Sequence, residues 1–151
     1  MAISAYARKT ELKKRYGDEI DELSKAQSKT ETSIDAALED GAAEINGYIG
    51  QRYKLPLPYG PYSTLVWLNC DITRYRLWES RLEDAPDNAV YVRYKQSIEH
   101  LMLIAEGRIA LIDDQGQEPE IANKAIAGLS VISRRPQVFT NNTLKKMNYG
   151  Y

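Results

Sequence analysis

The stretch TSIDAALEDGAAEINGYIGQRY, Thr32 to Tyr53, places apolar residues at Ile34, Leu38, Gly41/Ala42, Ile45, Tyr48/Ile49 and Tyr53. This three-and-four spacing lines them along one face of a helix. Thr32 followed three positions later by Asp35 has the form of a capping-box start, with Asp where Glu or Gln is usual. Gly41, Gly47 and Gly50 each cost about 0.5–1 kcal/mol relative to Ala inside a helix, so each marks a close backbone approach or an early helix end.

Helical spacing extends on both sides. Upstream, a helix is expected from Ala7 to Tyr16, stopped by Gly17, and a short one from Asp18 to Ser24 with its acids at the positive N-terminal end. Downstream, Leu55-Pro56-Leu57-Pro58-Tyr59-Gly60-Pro61 cannot be helical and forms a stiff connector. Pro61 suits the first turn of a fourth helix reaching Leu82, with Leu65, Leu68, Ile72, Tyr75 and Trp78 or Glu79 toward the core. After Ala85-Pro86, Asp87 is expected to cap a fifth helix with the stripe Tyr91, Tyr94, Ile98, Leu101 and Ala105, ending at Gly107. About five helical segments, with no convincing strand alternation among them, predict an all-α fold: a small helical bundle over residues 1–112. Residues 113–151 are expected to form a loop and an extended basic C-terminal tail. Within it Asp113-Asp114-Gln115-Gly116 is a turn, Pro119–Ala127 a short helix, and Leu129–Ile132 and Gln137–Thr140 are extended.

A chain of 151 residues is long enough to bury roughly 70% of its unfolded surface as one domain. A mean hydropathy of -0.51 and the absence of any apolar run near the ~20 residues of a spanning helix predict no membrane partner. Met1 to Arg15 lacks the apolar core of a secretory signal, so the protein is expected to stay in the cell that makes it. One cysteine, Cys70, and one histidine, His100, are too few for a structural zinc site or a nucleophile–histidine dyad. Cys70 reads as a small buried hydrophobe and His100 as a structural or surface residue. No catalytic residue, metal or cofactor is expected, and the chain is not read as an enzyme.

Charge is unevenly spread. Residues 1–120 hold 15 Lys and Arg against 21 Asp and Glu, a net of -6, whereas residues 121–151 hold Lys124, Arg134, Arg135, Lys145 and Lys146 and no acid, a net of +5. A basic terminal segment binds nucleic acid or docks on an acidic protein surface, and five cations spread over 31 residues are sparse for a DNA arm, so a protein partner is favoured. Phe139, the single phenylalanine beside 11 tyrosines, lies in this segment with Val138, among residues too polar to build a core of their own. An apolar anchor flanked by Arg134, Arg135, Lys145 and Lys146 suits a segment that orders on binding, the ring filling a pocket while the charges set register. The alternative is that the tail folds back on its own body.

Tyr6-Ala7 with Glu11-Leu12, Arg15-Tyr16-Gly17, Ile45-Asn46-Gly47-Tyr48-Ile49, Arg52-Tyr53 and Leu55-Pro56-Leu57 resemble the Mu-like prophage proteins encoded among the head genes and long filed as a domain of unknown function. Cys70-Asp71-Ile72, Arg74-Tyr75-Arg76-Leu77, Arg93-Tyr94, Gly107-Arg108-Ile109-Ala110-Leu111, Arg135-Pro136-Gln137-Val138-Phe139-Thr140 and Thr143-Leu144 extend the likeness over nearly the whole chain. Two departures are Arg8, where the family tends to have a helix-capping Thr, and a longer segment between Asp113 and Arg134. The resemblance implies a tailed-phage head-completion or head–tail connector protein without enzymatic activity, assembled in the bacterial host cytoplasm and resident in the virion neck. It implies a homo-oligomeric ring of about twelve copies beneath the portal protein, in contact with the next neck or tail-completion protein. An acidic lumen would let DNA slide through without specific binding.

On this reading the tail docks through Arg134, Arg135, Val138, Phe139, Leu144 and Lys145, while Arg52, Tyr53, Arg74 and Arg76 serve as inter-subunit contacts or braces of the body. Ordinary surface ion pairs are the alternative for the arginines. The rival function is a nucleic-acid-binding helical module using the basic tail, with an affinity that falls steeply with salt and survives removal of residues 1–112.

Overall fold

A computed structural model describes residues 5–26, 31–58, 60–79 and 88–122, the side chains of 24–26 and 31–33 excepted. Five helices follow in order: α1 Lys9–Tyr16, α2 Glu19–Ala26, α3 Glu31–Ile49, α4 Ser63–Trp78 and α5 Ala89–Ala105. The all-α bundle expected from the sequence is the fold observed. Among the described residues no helix is long and apolar enough to cross a membrane.

α3 and α4 form the central pair, each packing against all four other helices, while α1 and α2 lie on one side and α5 on the other. Their apolar residues separate into two clusters. One joins Ile45, Ile49, Leu65, Leu68, Ile72, Leu101 and Ile104 to Tyr53, Tyr62 and Leu111 from the connecting loops. The other holds Leu12, Ile20, Leu23, Ile34, Leu38, Cys70 and Leu77 under α1 and α2.

α4 is buried on almost every side, so no single stripe describes it. Asn69, Cys70, Asp71, Ile72, Thr73 and Leu77 are all buried, whereas Tyr75 and Trp78, expected in the core, are half-buried. Its polar residues are matched to partners. With its amide nitrogen toward α3, Asn69 donates to Leu38 O at 3.2 Å and accepts the Tyr6 and Ala7 N–H groups at 3.1 Å each. Thr73 Oγ1 donates to Ala37 O at 3.4 Å. Asp71 accepts the Tyr16 hydroxyl, and burial raises its carboxyl above the usual range against the pull of Arg93, Arg15 and Arg74.

This layer explains where the elements begin. Because Asn69 takes the N–H groups of Tyr6 and Ala7, these two residues bend outside the helix, Arg8 is extended, and α1 starts at Lys9, two positions after the expected Ala7. Arg8 is its N-cap and has no acceptor in its side chain, so only the Glu11 half of a capping box forms, Glu11 Oε2 accepting the Arg8 N–H at 2.7 Å. Gly41 is the point of closest approach between α3 and α4. An added Cβ there would lie 2.6 Å from the Asn69 amide and 3.2 Å from Thr73 Oγ1. Gly47 faces open space and α3 continues past it, so no early ending occurs at Gly41 or Gly47; the helix stops at Ile49, directly before Gly50, the third of the glycines that suggested one.

α4 starts at Ser63 rather than Pro61. Its first N–H is taken from 51 residues away: Asp114 Oδ1 accepts the Ser63 N–H at 2.9 Å and Oδ2 accepts the Ser63 hydroxyl at 2.8 Å. These bonds hold the exposed Asp114 carboxyl below its ordinary value. At α5 it is Asn88 that caps, its Oδ1 accepting the Val90 N–H at 2.8 Å, while the expected cap Asp87 lies outside the described residues. The buried residues of α5 are Val90, Ser97, Leu101 and Ile104; Tyr91, Tyr94 and Ile98 stand at the core's edge.

Gly41→Ala should lower the unfolding free energy by about 1–3 kcal/mol through overpacking. Gly47→Ala, meeting nothing, should raise it by about 0.5–1 kcal/mol, both read from denaturant unfolding. The half-buried Tyr6 hydroxyl donates to Asn46 Oδ1, and burial, then the neighbouring Tyr62 phenol, push its pKa up to about 12. The folded state therefore keeps a proton that the unfolded chain releases near pH 10, so this contribution is intact below pH 10 and is lost as the pH rises toward 12. Tyr6→Phe should make the alkaline fall in the denaturant midpoint shallower.

Candidate interaction site

The last described residues of the chain, 120–122, lie beside the end of α3. Beyond Ile49 the chain makes one more turn, with Arg52 N and Tyr53 N both donating to Ile49 O, at 3.0 and 2.8 Å. This turn brings residues 52–54 antiparallel to 120–122. Lys54 N donates to Glu120 O and Ala122 N to Arg52 O, each at 2.9 Å, with Tyr53 opposite Ile121. Residues 119–122 are thus not helical, Ile121 pairing across to Tyr53, where a short helix is expected to start at Pro119; its remainder, 123–127, lies outside the described residues. Competition from the Arg52 and Lys54 backbone decides their conformation, which local propensity does not show.

Tyr53 is the pin of this clasp. It is 1% exposed; its hydroxyl donates to Glu118 Oε1 at 2.6 Å and accepts the Leu111 N–H at 2.9 Å. Burial, then the Glu118 bond, raise its phenol above the ordinary value, so it remains a donor at neutral pH. Arg52 stands 5.5 Å over the Tyr53 ring and places Nη2 3.4 Å from the same Glu118 oxygen. Gly107, at φ +75°, leaves room for the Arg52 guanidinium, which an added Cβ would strike. Three separate stretches, 52–54, 107–111 and 118–122, meet at one phenol. Past residue 112 the expected Asp113–Gly116 turn is present, with Asp113 Oδ1 accepting the Gln115 and Gln117 N–H groups, and residues 113–122 stay bonded to the bundle.

Arg74 and Arg76 project to different neighbours. Arg74 grips Glu19 of α2, Nη2 lying 3.0 Å from both carboxylate oxygens, and its guanidinium lies 4.4 Å from the Tyr16 ring centre. Trp78 Nε1 donates to that same Glu19 at 2.8 Å. Arg76 Nη2 donates to Glu44 Oε2 on α3 at 2.7 Å, while Tyr94 of α5 donates to Glu44 Oε1 at 2.9 Å and stacks on Tyr75 at 3.9 Å. Arg52 and Tyr53 are thus brought together, and Arg74 and Arg76 are not. Arg134, Arg135, Val138, Phe139, Leu144 and Lys145 lie outside the described residues. The sequence reading missed Asp114, Glu118, Glu19 and Glu44, whose partners stand 32 to 66 positions away and leave no local signal.

The residues weighed for chemistry occupy packing positions. Burial pushes the Cys70 thiol up to about 11, so it is protonated at neutral pH. His100 packs edge-on to Trp67 with ring centres 5.4 Å apart, and burial lowers its pKa, which keeps the ring neutral. Among the described residues no group of three or more His, Cys, Asp or Glu is placed to hold a metal.

Tyr53→Phe should leave the Leu111 N–H without its partner and Glu118 without its donor, at a cost of about 1–3 kcal/mol. Hydrogen exchange should rise over residues 107–122 while the facing parts of α3 and α4 stay protected.

Comparison with known proteins places this geometry in a lineage. The profile of the family described as Bacteriophage Mu, Gp36 matches residues 6–127, a span that begins at the segment held by Asn69 and takes in the clasp. A relative from Haemophilus influenzae, the Mu-like prophage FluMu protein gp36, is 35% identical over 126 residues, covering 80% of this chain and 86% of its own. The chain accordingly belongs to the bacteriophage Mu Gp36 family.

Proposed function

We propose that the protein is a structural subunit of a tailed-phage particle: a head-completion or head–tail connector protein that forms a ring beneath the portal and joins capsid to tail. The observation that best supports this is the charge on either side of the clasp. Residues 121–151 carry five cations and no acid, and they emerge from a root pinned to a chain whose first 120 residues sum to -6. A ring is built from head-to-tail contacts, one patch on each copy meeting a different patch on the next. A basic segment and an acidic body supply two such opposite patches within one chain. Membership in a family named for bacteriophage Mu supports the phage setting.

In this reading Val138, Phe139 and Leu144 fill an apolar seat on the portal, the neighbouring copy or the next neck protein, and Arg134, Arg135 and Lys145 speed the encounter. Arg52 and Tyr53 hold the root from which that segment is presented, and Arg74 and Arg76 keep α4 braced behind it. The subunit carries out no reaction; its role is to join, while DNA passes through the ring without specific contact. It assembles in the host cytoplasm and remains in the neck of the virion.

Sedimentation of the full chain, alone and mixed with a portal assembly, tests the proposal. The unaltered protein should enter ring-sized or portal-bound species. Phe139→Ala should keep its helical circular dichroism and fail to do so; a Phe139→Ala protein that assembles and binds normally refutes the docking role.

A further inference from the structure

Along α5 and its two capping residues one line runs opposite the buried face, beside the other exposed residues Ala89, Arg93 and Gln96. Asn88, Val92, Lys95, Glu99, Met102 and Glu106 follow at spacings of four, three, four, three and four, the repeat of a two-helix seam. Ser97, fully buried, stands on the opposite side of the helix. Every member of the line from Val92 onward is exposed, and Val92 (38%) and Met102 (46%) are two of the three large exposed hydrophobics among the described residues.

We propose that this line is a self-association surface, on which α5 of a second copy of the chain packs antiparallel. The order of residues is symmetric about position 97: Val92 stands as far before it as Met102 stands after, and so do Lys95 and Glu99. An antiparallel pair with its twofold axis at that position sets Val92 against Met102 of the second copy, and Lys95 against Glu99 of the second copy, each twice. Asn88 then faces Glu106. Parallel pairing would set Lys95 on Lys95 and Glu99 on Glu99, so the charges select one direction. Both groups are available for the contact. Among the described residues Glu99 has no ion-pair partner, and Lys95 rests 5.6 Å from the centre of the Tyr91 ring. A seam of two short helices lies at the small end of specific interfaces, so the pair is weak and reversible. It is isologous and closes at two copies, so it is separate from the ring contact and does not rest on the neck reading.

Sedimentation velocity of the full chain over a concentration series reads the pair directly. Monomer should pass to dimer with rising concentration, less readily at high salt. Lys95→Glu should raise the dissociation constant about tenfold, because the symmetric contact carries the pair twice, and Glu99→Lys should do the same. The double variant Lys95→Glu/Glu99→Lys should return it to the starting value, since opposite charges face each other again. Met102→Glu should abolish the dimer with unchanged circular dichroism. Phe139→Ala should leave the dimer intact, which separates this surface from the C-terminal one. A double variant as weak as either single one, self-association indifferent to Lys95→Glu, or a chain monomeric at every concentration because residues 123–151 cover α5 overturns the proposal.

Discussion

The middle of α4 is enclosed by its neighbours and offers no solvent face for polar side chains, yet it carries three of them there, Asn69, Asp71 and Thr73. Unpaired, each would cost of the order of 1–3 kcal/mol, a large share of a domain's net stability. The pairing of Asn69, Asp71 and Thr73 therefore dictates much of the bundle. Asn69 draws in the N-terminal segment and the α3 backbone together, Thr73 requires α3 to come close, and Gly41 is where α3 gives way. The two apolar clusters lie either side of this polar layer, so the layer sets the register of α3 against α4 and they supply the bulk of the burial.

The arginines repeat the pattern at the periphery. Arg74 ties α4 to α2 and Arg76 ties it to α3, where Glu44 also receives the hydroxyl of Tyr94 from α5. Each carboxylate is shared with a second donor, and each guanidinium is partly shielded, so these pairs hold geometry better than an exposed pair such as Lys54–Glu120 at 3.9 Å. The tyrosines follow the same logic. Tyr53 is buried and Tyr6, Tyr16 and Tyr94 are half-buried, and each directs its hydroxyl to a side-chain oxygen across the bundle.

What could be read from the sequence was what depends on neighbours within a turn or two. The α3 stripe, the stop at Gly17, the non-helical prolines and the run of α5 into Gly107 are all local, and the structure has them at or near those positions. The start of α4 could not be read, because its cap is a carboxylate 51 residues downstream. The core face of α5 is rotated from the one its spacing predicts: Tyr91 and Tyr94 are large and apolar enough to suggest the interior, yet their hydroxyls keep them at its edge, and Ser97 goes inside instead. The clasp was hidden for a related reason. Arg52 and Tyr53 stood out as residues, but Glu118 and the 120–122 backbone that receive them lie in a stretch whose composition suggests only loop or helix.

The antiparallel bridge between 52–54 and 120–122 also decides how a pull on the C-terminal segment would reach the rest of the molecule. Tension that reaches Ala122 is met by the Ala122–Arg52 and Lys54–Glu120 hydrogen bonds, and by the Tyr53 phenol behind them. The load is handed to the end of α3, one of the two central helices, and bypasses α5, to which the segment is covalently joined. The protein is thus rigged like a rope made fast to the mast before it reaches the rail.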